Sequence, residues 1–144
     1  ALGKKAALVV ALLIGLFGLG AGIGAGLFPM DPVGAEPTLS GGLHDAFAGA
    51  GFFAIAFVSL VSLAVFPRKR TPGLAWLSIG VFVLGLVFFA LFVVSEDISA
   101  TVGALSYTGL WQRLFLLIQY TYLGVIAVLM IRSTRVLLRE GGRA

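Results

Sequence analysis

The sequence predicts an all-α integral membrane protein: a four-helix bundle of antiparallel, up-and-down spans with both termini cytoplasmic. Three observations predict it. The first is composition. Of 144 residues, 60 % are hydrophobic and 11 % are charged, and the mean hydropathy is +1.10. Soluble domains carry roughly 25 % charged residues. A small globule buries only ~60–70 % of its chain, so it cannot hide this much apolar surface. Disordered chains err the other way, being poor in apolar residues. The second observation is four long apolar runs, and the third is a sorting of charge between the loops that join them.

The runs are residues 6–28, 43–66, 74–94 and 111–131, which together form one transmembrane domain over 1–144. A helix needs ~20 residues to cross a ~30 Å hydrocarbon core. Backbone groups in lipid must pair within their own segment, so the runs are helices rather than isolated strands. Pro29 and Pro32 stop the first, since proline cannot donate to the helix ladder. A signal peptide is an alternative reading of this run after Lys4 and Lys5, but its apolar core exceeds the roughly 7–15 residues of such a segment. Ser40-Gly41-Gly42 is expected to open the second run, and Pro67 to close it. Thr71-Pro72 starts the third, with proline suited to a first turn, and Ser95-Glu96-Asp97 ends it. Thr108 or Gly109 caps the fourth.

Lys4 and Lys5 precede the first span, Arg68, Lys69 and Arg70 join the second to the third, and Arg132, Arg135, Arg139 and Arg143 follow the fourth. Four crossings put these nine basic residues on one face. Asp31, Glu36, Asp45, Glu96 and Asp97 fall on the other, with Arg113. Basic loops stay inside, so the expected topology has cytoplasmic termini. The net charge of +4 is thereby a matter of topology, and no nucleic-acid partner is expected.

In the first span Gly18, Gly22 and Gly26 recur every four residues, with Gly20 and Gly24 as an offset pair. Such spacing lets helix backbones approach closely in lipid. Ala46, Ala50 and Ala54, with Gly49 and Gly51, answer in the second span, and Gly18, Gly22, Gly26, Ala46 and Ala50 are the leading expected packing positions. The partner is the second span or another protein.

The polar residues are few. Gln119 lies a third of the way into the fourth span, where an unpaired amide is costly, so it is expected to face another helix. Arg113 sits at a helix N-terminus, where positive charge is disfavoured, and is expected to pair with a carboxylate. His44 and Asp45 open the second span. Asp31, His44, Asp45, Glu96, Asp97, Arg113 and Gln119 form the candidate outer-face polar site. No catalytic set, phosphate loop, zinc-protease motif or serine elbow is legible. The chain has no cysteine and one histidine. Thiolate chemistry, three-histidine zinc and bis-histidine haem ligation within one chain are therefore excluded. No metal and no cofactor beyond bound lipid is expected; a single pigment ligand at His44 is a minor alternative.

The run Gly26-Leu27-Phe28-Pro29-Met30-Asp31, His44 at the head of the next span, and Gly109-Leu110-Trp111-Gln112-Arg113 before the last resemble a bacterial and archaeal membrane family, domain of unknown function 998. Its members usually have six spans. The resemblance implies that the four here correspond to the last four, which leaves two family helices absent. It marks Asp31, His44 and Arg113, brings no established activity, and implies a bacterial or archaeal cell membrane.

The expected role is therefore that of an accessory or structural subunit, packing among other membrane proteins or in a homo-oligomer and surrounded by lipid. Three alternatives stay open: a small-molecule, lipid or ion binding or transport protein using the outer-face site, a membrane enzyme acting on lipid headgroups with His44 in its site, and a pigment- or quinone-associated subunit of an energy-converting complex.

Overall fold

A computed structural model describes residues 2–32, 34–66, 69, 71–97, 103 and 107–141. Among these residues every regular element is helical and no strand occurs. The elements are α1 (Leu2–Phe17), a π-helical segment (Gly18–Gly24), α2 (Ala25–Leu27), α3 (Leu39–Val65), α4 (Pro72–Asp97) and α5 (Thr108–Gly141). Four stretches are long and apolar enough to cross a membrane: Lys4–Leu27, Leu39–Val65, Pro72–Glu96 and Thr108–Arg132. The number and order of the predicted spans are those observed.

The helix ends differ from expectation in instructive ways. Helix α3 begins at Leu39 because Thr38, in extended backbone, turns its hydroxyl oxygen onto the Gly41 N–H at 3.1 Å. Ser40-Gly41-Gly42 therefore lies inside the first turn instead of opening the helix. Pro72 is the first residue of α4, where its missing N–H costs nothing. Helix α5 runs well past the apolar residues, to Gly141. Pro67, Arg68 and Arg70 lie outside the described residues.

The chain forms two compact units, Ala1–Phe82 and Val83–Ala144. In the first, the glycine-rich span runs antiparallel to α3. Phe17 meets Phe52 at 6.4 Å between ring centroids, and Phe28 stacks on Phe47 at 5.7 Å. Between these levels the backbones come close. A Cβ on Gly20 would lie 2.6 Å from the Phe47 carbonyl oxygen, and one on Gly51 would lie 2.5 Å from the Ala21 nitrogen. A Cβ on Gly24 would strike the Phe47 ring. The π segment coincides with this stretch. Its wider turns are tolerated where four of seven residues lack a side chain.

Within the chain the two glycine series take different surroundings. The offset pair Gly20 and Gly24 is buried against α3, while Gly18, Gly22 and Gly26 face open space. Ala46 and Ala50 are likewise exposed; they line a shallow apolar groove with Leu16, Leu19, Leu43 and Phe47. The close partner on α3 is Gly51. Only one glycine series faces α3, because the two are half a turn apart.

In the second unit the latter half of α4 runs antiparallel to α5. Thr108 donates its hydroxyl to the Ser95 carbonyl at 3.1 Å, tying the two helix ends. Phe88 stacks on Trp111 and Phe89 packs on Phe115 at 5.4 Å. Phe115, Gln119 and Tyr122 are fully buried. Leu12, Leu19, Val83 and Leu117, by contrast, are more than half exposed. Only 11 % of the apolar window of the first span, and of the third, is buried within the chain, so lipid is the solvent for most of their surface.

Candidate functional site

The loop from Phe28 to Thr38 leaves two helix ends to be satisfied. A helix terminus carries four unpaired N–H groups or four unpaired carbonyls. At the head of α3, Thr38 caps Gly41, and Asp31 in turn holds Thr38. The Asp31 carboxylate accepts from the Thr38 backbone N–H at 2.8 Å and from its hydroxyl at 2.6 Å. These two bonds, the hydroxyl bond above all, hold the Asp31 carboxyl below its ordinary value of 3.8, against a smaller upward push from burial. Position 41 must be small here, since any Cβ would overlap the Asp31 carboxylate.

At the foot of the first span the orphan groups are carbonyls, and His44 answers them. Its Nδ1 lies 2.9 Å from the Ala25 carbonyl oxygen and 2.8 Å from that of Phe28. Two acceptors at one nitrogen require that nitrogen to carry the proton, so Nδ1–H donates to both. A ligating or basic role would then fall to Nε2. Ser40 adds a third bond, its hydroxyl donating to the Pro29 carbonyl at 3.3 Å. Asp31, Thr38, Ser40 and His44 thus form one polar staple between the end of the first span and the start of the second. The part-buried bonds of His44 contribute about 1 kcal/mol each net.

The other predicted residues fall elsewhere. Asp45 is exposed on α3 beside the staple. Glu96 and Arg113 belong to the second unit and are exposed; the Asp97 side chain lies outside the described residues. Among the described residues no three His, Asp or Glu side chains gather as a metal site. Gln119 does face a helix, as expected. Its amide occupies the space a side chain at Gly85 would take, 2.5 Å from that Cβ position, and its buried Nε2 has no hydrogen-bond partner. Thr38, Ser40 and Gly85 were not legible as members of these clusters. Thr38 lacks the acidic or amide residue three places on that marks a capping box; that place is Gly41.

Four apolar helices, with polar residues spent on helix ends and interhelical contacts, define a multi-pass all-α membrane protein. The family described as "Protein of unknown function (DUF998)" matches residues 1–129, and the chain belongs to it. No curated protein and no solved structure matches the chain.

Proposed function

We propose that this protein is a structural or accessory component of the membrane that associates with further membrane helices, its own copies or other subunits, through the open glycine face of its first span. The observation that carries this reading is the orientation of Gly18, Gly22 and Gly26. They recur at intervals of four on a lipid-accessible face, and among the described residues nothing lies within 4 Å of a Cβ built on them. Small residues at this interval let helices approach closely and make van der Waals contact where no hydrophobic force acts between helices. Asp31, Thr38, Ser40 and His44 support the same reading, because the chain spends them on its own helix ends.

In this reading both termini and the turn at residues 66–71 lie on the cytoplasmic side, where they bring nine of the ten basic residues. The test is the mass of the assembly extracted in mild detergent, with each component quantified by mass spectrometry. The native chain is expected in a stoichiometric assembly. Gly22→Leu is expected to weaken that assembly by about tenfold, equivalent to ~1.4 kcal/mol, without altering chain stability. A lone monomer, or an assembly indifferent to Gly22→Leu, would contradict the proposal.

A further inference from the structure

Helix α5 does not stop where its apolar run stops. The membrane-length stretch ends at Arg132, yet the helix continues to Gly141. Nine more residues at 1.5 Å each extend it by ~13 Å. The headgroup layer on either side of the hydrocarbon core is only about 5–8 Å thick. The extension therefore crosses the whole layer as a helix.

Three of its positions are arginine: 132, 135 and 139. Spacings of three and four place them in one row, within an arc of about 60° on a helix of 3.6 residues per turn. Leu137 falls opposite the row, and Glu140 about 110° round from its centre. Arg135 and Arg139 stand about 5 Å and about 10 Å past Arg132, so the row ascends through the headgroup layer and just past its rim, within reach of a long arginine side chain. Arg132 is exposed. The row lies outside residues 1–129, which the family model matches.

We propose that this row is a binding surface for the anionic phospholipid headgroups of the leaflet from which α5 emerges. The chemistry is complementary: guanidinium groups take phosphate oxygens in pairs and keep their charge at any working pH. A basic residue beside the bilayer strengthens attraction to anionic lipid by about fivefold. The ordering of three such residues along one helix face goes beyond the charge count that sets orientation, since orientation is indifferent to which face carries them.

The experiment uses the full chain in bilayers of equimolar phosphatidylglycerol and phosphatidylcholine. It is extracted gently, and the lipid retained on the protein is quantified by mass spectrometry. The expected result is an excess of phosphatidylglycerol over the bulk ratio. Arg135→Gln is expected to reduce that excess by about fivefold, and the triple variant R132Q/R135Q/R139Q to remove it. A second variant, Thr134→Arg with Arg135→Thr, keeps the net charge and moves one arginine off the row; it is expected to behave like Arg135→Gln. Retention of the full excess in this variant would overturn the proposal, leaving charge count alone as the cause. Retention in the triple variant would overturn it too, and would leave the arginines to an acidic protein partner.

Discussion

Asp31 shows how one loop carboxylate can set a helix start. Its two bonds to Thr38 are stronger while it is ionised, and Thr38 in turn caps α3. A carboxyl whose value is lowered on folding stabilises the fold above its unfolded value and loses that contribution as pH falls through the lower, folded value. Thermal stability in detergent is therefore expected to be level above about pH 5 and to decline below about pH 4. Asp31→Asn should lack that acid decline and be less stable at neutral pH; an unchanged acid profile would contradict the assignment. Gln119 makes the opposite point. A buried donor with no acceptor costs about 1–3 kcal/mol, so Gln119→Leu is expected to leave the midpoint of chemical unfolding unchanged or raise it, where most core changes lower it. That His44, Asp31 and Gln119 matter was legible, since each is a polar side chain at a costly depth or helix end. Their partners were not. His44 bonds main-chain carbonyls nineteen and sixteen residues away, and carbonyls have no sequence signature.

Among the elements, the first span separates two uses of glycine. Gly20 and Gly24 admit the backbone and ring of Phe47, and the π-helical turns hold both toward α3. Gly20→Leu is expected to destabilise the chain by about 1–3 kcal/mol or more, because the new side chain meets backbone that cannot yield. Gly22→Leu, facing open space, should leave chain stability within about 0.5 kcal/mol of native. Equal losses in guanidinium or thermal unfolding would contradict this division of labour. The sequence shows both series with equal strength. Which one packs depends on the rotation of the helix, and the π segment alters that rotation locally. Helix existence was legible from hydropathy, whereas the start of α3 turned on a contact between Asp31 and Thr38 across the loop.

At the scale of the whole molecule, fold class follows from solvent. A chain with four apolar helices and so little burial in its first and third spans is stable only where lipid covers it. That much was plain in the sequence, because hydrocarbon thickness fixes span length and backbone pairing fixes the helix. The role of the outer polar residues was not, because their worth depends on which of them meet. Asp31 and His44 join one staple, whereas Arg113 and Gln119 belong to the second unit. Four crossings are expected to bring the basic segments together on one side. The chain has no cysteine, so single substitutions Glu36→Cys, Lys69→Cys, Tyr107→Cys and Thr134→Cys give unique positions for a membrane-impermeant maleimide. Lys69→Cys and Thr134→Cys are expected to react only from the cytoplasmic side, and Glu36→Cys and Tyr107→Cys only from the other. Reaction of positions 69 and 134 from opposite sides would contradict that topology.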